Sequence, residues 1–153
     1  MGRRRIWVQL ATFTAVSAVL LVGVPAGYFL FMYGCGQKED GLATAMAGDP
    51  VLGATPAAAE KGEPYRGCDD DDLFVYAGTD YRYGGTRQSV LDHYRESAQA
   101  NGWRSRPVRG DESVSDCFTK RIGGTTAYLT VQGPENGTVQ AEIVADHARS
   151  DWC

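Results

Sequence analysis

Four cysteines, at positions 35, 68, 117 and 153, are the residues of this 153-residue chain with the most readily interpreted chemistry. No two of them form a C-x-x-C pair, and neither histidine stands next to a cysteine, so the spacing disfavours a zinc site. In a small exported domain, thiols meet oxidising conditions and pair with one another. The pattern therefore predicts disulfide chemistry rather than metal binding.

Four consecutive carboxylates, Asp69, Asp70, Asp71 and Asp72, offer the oxygen ligands that Ca²⁺ prefers. Successive side chains of an extended chain point in opposite directions, so these four converge on one ion only if the loop curls. The run also lacks the D-x-D-x-D-G spacing and the distant glutamate of a calcium loop. We therefore expect a solvated acidic loop, with calcium binding as the alternative.

The two histidines, His93 and His147, are the remaining candidates for catalysis. His93 borders an apolar stripe and His147 follows the last predicted strand, positions that are typical of surface or boundary histidines. The sequence contains no G-x-S-x-G, H-E-x-x-H or P-loop motif. We therefore predict no catalytic residue and no cofactor, and expect that the protein is not an enzyme.

Basic and aromatic residues suggest binding rather than catalysis. Arg104, Arg106 and Arg109 form a short basic stretch that would suit an acidic partner, although such residues more often protect a sheet edge from pairing. Several tyrosines are expected to pack across strands, with a binding groove as the alternative: Tyr76, Tyr81, Tyr83 and Tyr128. The net charge of −4 argues against nucleic acid and anionic lipid as partners.

Residues 6–33 contain no charged side chain and directly follow the cluster Arg3–Arg5. The hydrocarbon core of a bilayer, about 30 Å thick, needs roughly 20 apolar residues of helix, and this run is longer. Positive flanks stay in the cytoplasm, so the chain after Gly34 is predicted to lie outside the cell. We interpret residues 1–35 as a cytoplasmic stub and a single-pass anchor in the lipid bilayer of the cell membrane.

Two alternatives for this N-terminus stay open. Cleavage of a signal peptide is disfavoured because the apolar run is too long and the A-x-A at Ala45–Ala47 lies far beyond its end. The segment Met32-Tyr33-Gly34-Cys35 partly resembles a lipobox, in which the cysteine is acylated, but Tyr33 stands where a small or β-branched residue is usual. Cys35 is thus the alternative lipidation site.

Residues 36–63 are rich in Gly, Ala, Pro and short polar residues and contain no run of large apolar side chains. Burial of so little apolar surface would not offset the loss of backbone entropy on ordering. We predict a flexible linker at 36–63, followed by an exported domain at 64–153.

Within that domain, one segment has helical periodicity. Val90, Leu91, Tyr94 and Ala98 recur at helical spacing. Thr86 or Ser89 offers an N-cap oxygen, and Asn101-Gly102 supplies a stop after which Trp103 can pack back on the last turn.

The other periodic segments alternate as strands do. Strands are predicted at Phe74–Tyr76 with an extension through Tyr81 and Tyr83, at Trp103–Val108 on an edge, and at Ser115–Ile122, Thr126–Gln132 and Val139–Ala145. Lys120 is an exception, since it falls between Phe118 and Ile122 on the inward side. Alternation with one polar face predicts an antiparallel sheet that the helix covers on one side, which is a two-layer α+β fold in the order β-α-β-β-β.

The succession of a short strand, a helix with Val90-Leu91 and His93-Tyr94, then Gly102-Trp103 and a three-stranded meander resembles small anchored or lipid-modified bacterial domains of unknown function. In composition the chain is similar to exported proteins of actinobacteria. The resemblance covers residues 70–146 and implies an α+β fold and an extracytoplasmic address, without an activity.

The predicted topology also favours one disulfide. Cys68 precedes the first predicted strand, and Cys117 lies near the start of the strand that follows the helix. A helical crossover makes these strands run in one direction, which brings both starts to the same end of the sheet. We predict Cys68–Cys117. Because the tail from Asp146 can fold back, Cys68–Cys153 and Cys117–Cys153 stay open.

Together these observations predict a membrane-tethered extracytoplasmic domain that binds an envelope protein or ligand without catalysis. One alternative is an envelope hydrolase or calcium-dependent module that uses Asp69–Asp72. Another is a structural subunit of a membrane complex, with the span as its interaction surface.

Overall fold

The computed structural model describes residues 23–24, 34–106, 117–148 and 150–153, and the folded unit runs from Cys35 to Cys153. In the described part of the chain, no helix is both long and apolar enough to traverse a bilayer. The predicted span at 6–33 falls almost wholly outside the described residues.

Among the described residues, two α-helices and six strands form an α+β fold. In chain order they are α1 (Gln37–Ala47), a 3₁₀ turn (Pro50–Gly53), β1 (Glu60–Cys68), β2 (Phe74–Arg82), α2 (Arg87–Ala100), β3 (Arg104–Arg106), β4 (Cys117–Ile122), β5 (Thr125–Glu135) and β6 (Thr138–Asp146). The sheet order is β1-β2-β6-β5-β4-β3, and every neighbouring pair is antiparallel. The predicted α+β class and antiparallel sheet are confirmed. The predicted order β-α-β-β-β lacks α1, β1 and one of the four strands that follow α2.

The prediction of a flexible linker at 36–63 is wrong. Helix α1 begins after Gly36, whose backbone N–H donates to the Glu39 carboxylate at 3.0 Å, and it places Leu42, Ala43 and Met46 against the sheet. The 3₁₀ turn buries Val51 and Leu52 in the same core. These apolar residues are few, but they recur on one side of each helical segment, and a composition averaged over the segment hides that periodicity.

Helix α2 follows the prediction closely. The Thr86 hydroxyl accepts a hydrogen bond from the Ser89 N–H at 3.2 Å and caps the helix. The chain leaves it through Gly102, at a φ of 78°, and the Trp103 N–H donates to the Ala98 carbonyl at 2.9 Å. The four residues of the predicted stripe are all buried: Val90, Leu91, Tyr94 and Ala98.

The described helices cover only one face of the sheet. The face that we call the helix face packs against α1, the 3₁₀ turn and α2, and its side chains alternate along β2, β5 and β6. They are fully or almost fully buried: Val75, Ala77, Tyr81, Ala127, Leu129, Val131, Val139, Ala141, Ile143 and Ala145. The opposite face, which we call the open face, carries the intervening side chains of the same strands.

A buried carboxylate accounts for the inward lysine in the strand pattern. Asp49, between α1 and the 3₁₀ turn, is 7% exposed, and its Oδ2 lies 2.7 Å from Lys120 Nζ on β4. Its Oδ1 accepts hydrogen bonds from Trp103 Nε1 at 3.2 Å and from the Val51 N–H at 3.1 Å. Lys120 therefore faces inward because it neutralises Asp49, and it also lies 5.7 Å from the centroid of the Trp103 ring.

We expect Met46→Ala to lower the free energy of unfolding by about 3 kcal/mol, because Met46 is fully buried and its truncation leaves a cavity. Urea denaturation measures this, with Lys38→Ala on the exposed side of α1 as the control. Equal stability of the two variants would mean that α1 does not belong to the core.

We expect Lys120→Ala to cost about 2 kcal/mol, since it leaves the buried Asp49 carboxylate without its cation. Lys38→Ala is the matched control, because that lysine is exposed on α1 and its truncation should cost less than about 0.5 kcal/mol. Thermal unfolding of both variants decides the point; a harmless Lys120→Ala would contradict the role assigned to Asp49.

Candidate functional site

All four cysteines are paired. Cys35 bonds Cys68 and Cys117 bonds Cys153, each pair with its Cα atoms 5.9 Å apart. Two disulfides indicate an oxidising, extracytoplasmic environment, as the sequence predicted. The Cys35 sulfur is thereby occupied, which contradicts its alternative use as a lipidation site.

The predicted Cys68–Cys117 pairing is wrong, whereas Cys117–Cys153 was one of the open alternatives. Helix α2 leads into β3, and β3 is the strand that runs in the same direction as β2. Strand β4, which begins at Cys117, is antiparallel to β3 and therefore runs opposite to β2. Cys68 ends the edge strand β1, and three strands separate β1 from β4. The registers also place Cys68 on the helix face and Cys117 on the open face.

The acidic run forms the turn between β1 and β2. Asp69 Oδ1 accepts hydrogen bonds from the backbone N–H groups of Asp71 and Asp72, at 2.9 and 3.0 Å. Asp70 Oδ1 accepts one from the Cys35 N–H at 2.8 Å. These carboxylates thus shape the turn and fix the start of the folded unit, and within the described residues no group of three or more His, Cys, Asp or Glu side chains could hold a metal ion.

The two histidines lie on different elements. His93 Nε2 is 3.3 Å from the Ala54 carbonyl oxygen, beside the 3₁₀ turn. His147 Nε2 is 3.7 Å from a carboxylate oxygen of Glu39 on α1. His93 thus contacts the residue after the 3₁₀ turn, whereas His147 contacts α1. The two histidines do not contact a common group.

The open face carries a platform of polar side chains. The registers align Asp80, Gln140 and Gln132 in one row across β2, β6 and β5, and Glu142 and Thr130 in the next row. We call these five residues the polar platform. Asp80 and Gln132 are exposed and have no side-chain hydrogen-bond partner among the described residues. Together with Gln140 they line a shallow pocket of about 340 Å³.

An aromatic strip borders the polar platform. Its rings follow one another from Tyr65 to Tyr76, Phe74 and Trp152, with successive centroids 6.3, 5.9 and 5.1 Å apart. All four rings are partly exposed. The strip therefore offers aromatic surface that the protein itself leaves only half covered.

Two glycines leave space for the tyrosine rings of this strip to pack against the sheet. Tyr65 stands opposite Gly78 and Tyr76 opposite Gly67 in the β1–β2 register. A Cβ built on Gly67 would lie 2.5 Å from the Tyr76 hydroxyl, so a larger residue would lift the ring. This cross-strand packing is what the sequence predicted for Tyr76.

The hydroxyl of Tyr65 joins the strip to the platform. It donates to Glu142 Oε2 at 3.0 Å and accepts from Gln140 Nε2 at 2.7 Å. Burial, and to a lesser extent the nearby Glu142 carboxylate, raises the pKa of Tyr65 well above its usual range, although the Gln140 bond opposes the shift. Tyr65 therefore stays protonated at neutral pH. Its hydroxyl group donates a hydrogen bond to the Glu142 carboxylate and so orients it.

The C-terminal tail packs against one end of the open face. Asp146 accepts hydrogen bonds from the Ser150 N–H at 3.1 Å and from Trp152 Nε1 at 3.2 Å. The Trp152 ring then packs at a tilt against Phe74, and Cys153 bonds Cys117 on β4. The tail thus leaves the polar platform uncovered.

The predicted basic stretch lies at the far edge of the same face. Arg106 makes two hydrogen bonds of 2.8 Å with the Asp151 carboxylate, so its acidic partner belongs to the chain's own tail. Arg104 lines a shallow pocket of about 430 Å³ with Thr119 and Arg121. Arg109 lies outside the described residues.

Sequence reasoning anticipated a polar face but not this site. The alternation in Val139–Ala145 signals Gln140 and Glu142, yet Tyr65 and Gly67 stood in no predicted strand. The only sequence signal for β1 is the short run Pro64-Tyr65-Arg66, in which a single aromatic residue suggests a strand.

Comparison with known proteins places the chain in no group: no family model, no curated protein and no solved structure matches it.

We expect peptide mapping of the unreduced protein to find Cys35 linked to Cys68 and Cys117 linked to Cys153. The double substitution Cys117→Ser/Cys153→Ser should lower the free energy of unfolding by about 4 kcal/mol, because it opens a loop of 36 residues. A peptide that joins Cys68 to Cys117 would contradict the strand order described above.

Proposed function

We propose that the chain is a membrane-tethered extracytoplasmic domain that binds an envelope protein or ligand through the open face of its sheet, without catalysing a reaction. The tether is the apolar segment 6–33, whose length and flanking arginines fit a single span with its C-terminal side outside. The two disulfides agree with that address.

The observation that carries the proposal is the pairing of the polar platform with the aromatic strip on a face that none of the described helices covers. Half-exposed aromatic rings gain about 25 cal/mol per Å² of apolar surface when a ligand covers them. Asp80 and Gln132 offer hydrogen-bonding groups that the described residues leave unused. Such a surface provides both an apolar and a polar contribution to binding.

The site is also pre-organised. Its side chains project from β2, β5 and β6, whose backbones are fixed by long antiparallel ladders, and the two disulfides close the chain on either side. A ligand would therefore meet a rigid surface, and little binding free energy would be lost in ordering it.

We expect site-specific photo-crosslinking in intact cells to separate the two faces of the protein. A photoreactive residue in place of Gln132 on the open face should give a discrete adduct, whereas one in place of Gln99, another exposed glutamine, on α2, should not. The same adducts at both positions, or none at position 132, would contradict binding through the open face.

The proposed extracytoplasmic location of the domain is tested separately. A reporter that is active only after export, fused behind Cys153, should be active in the full-length chain, because the cluster Arg3–Arg5 keeps the N-terminus inside. An inactive fusion at normal abundance would reverse the proposed orientation.

A further inference from the structure

We infer that the ligand of the open face is a carbohydrate, an inference that rests on the proposed binding function and adds the chemical class of the ligand. The first argument is the chemistry of the polar platform. Asp80, Gln140 and Gln132 carry planar carboxylate or amide groups in one row, about 4.8 Å apart from strand to strand. Each such group can bond two neighbouring hydroxyls at once, as the vicinal hydroxyls of a sugar require.

The second argument is the position of the aromatic strip. A sugar ring presents hydroxyls at its rim and C–H groups on its faces, so it suits a surface where aromatic rings adjoin hydrogen-bonding groups. Tyr65 belongs to the strip and bonds both Glu142 and Gln140 of the platform. The two kinds of surface are therefore continuous, and a single ligand can use both.

The third argument is charge. The polar platform carries two carboxylates, Asp80 and Glu142, and no cation. The exposed Arg82 lies in the adjacent row of the same face, and Arg104 and Arg121 lie toward the opposite edge of the sheet. With two carboxylates and no cation of its own, the platform does not select an anionic ligand. A neutral, hydroxylated ligand fits it instead.

The composition of the surface also separates a carbohydrate from a protein partner. Protein interfaces are centred on a well-packed apolar core with buried anchors. The platform and the strip together contain no leucine, isoleucine, valine or methionine: they consist of Asp80, Thr130, Gln132, Gln140, Glu142, Tyr65, Tyr76, Phe74 and Trp152. Val144, which lies between Tyr76 and Tyr128 on the same face, is only 8% exposed and offers a partner little aliphatic surface. Aromatic rings beside amides and carboxylates therefore favour the carbohydrate.

Isothermal titration calorimetry of the full-length chain in lipid nanodiscs tests the inference. The probes are three neutral tetrasaccharides, namely cellotetraose, N-acetylchitotetraose and maltotetraose, each raised to about 10 mM so that millimolar affinities are covered. We expect saturable binding of at least one of them. Gln132→Ala and Asp80→Ala should each weaken it about fivefold or more, since each removes hydrogen bonds to the ligand.

Two control variants locate the site. Gln99→Ala on α2 and Arg121→Ala at the far edge should each change the affinity less than about twofold. Gln132, Asp80, Gln99 and Arg121 are all exposed, so unchanged thermal unfolding of the four variants shows that any loss is local. Loss of binding in Arg121→Ala alone would assign the ligand to the cationic edge and overturn the inference.

The remaining outcomes separate this inference from the function on which it rests. Absence of binding to all three probes, together with a protein adduct at position 132 in cells, would reject the carbohydrate and keep the open face as a binding surface. Absence of both would reject the two together. Hydrolysis of a bound tetrasaccharide, detected by mass spectrometry, would confirm the ligand class and reject the non-enzymatic function.

Discussion

The Asp49 carboxylate is the contact on which the arrangement of the helix layer depends. It joins three parts of the chain that are distant in sequence, namely the end of α1, Trp103 after α2, and Lys120 on β4. A carboxylate buried in this way is tolerated only because each oxygen has a partner and a cation lies 2.7 Å away. The helix layer therefore has one defined position over the sheet, since a shift of either helix would break these bonds.

The consequence of this arrangement reaches the other face. Because α1 and α2 both lie on the helix face, none of the described helices shields the open face. Apart from buried positions such as Val144 and Tyr128, that face carries polar or half-exposed side chains. Its tyrosines lie over Gly67 and Gly78, and its amides and carboxylates stand in rows set by the registers of β2, β5 and β6. One face can be apolar and the other polar because side chains alternate strictly along each strand.

The parts of the fold that the sequence predicts are those with strong local periodicity. Helix α2 has a cap, an apolar stripe and a glycine stop within one segment, and β5 and β6 alternate over long stretches. Helix α1 was missed because only Leu42, Ala43 and Met46 of its residues reach the core, too few to stand out in a Gly- and Ala-rich segment. The disulfide partners depend on the order of strands in space, which local pattern does not encode. The candidate site was missed because β1, which contributes Tyr65 and Gly67, has only a weak local strand signal.

The two disulfides also determine how the domain bears tension. A pull between Cys35 and Cys153 passes through the two sulfur bridges and loads only the chain from Cys68 to Cys117. Helix α1, β1, β4, β5 and β6 lie inside the closed loops and carry no covalent load. The bridges span 33 and 36 residues, so at roughly 3.5 Å per residue each withholds more than about 100 Å of chain from extension. Under force, β2 and α2 therefore bear the covalent load. Strands β5 and β6, which also carry the polar platform, do not bear it.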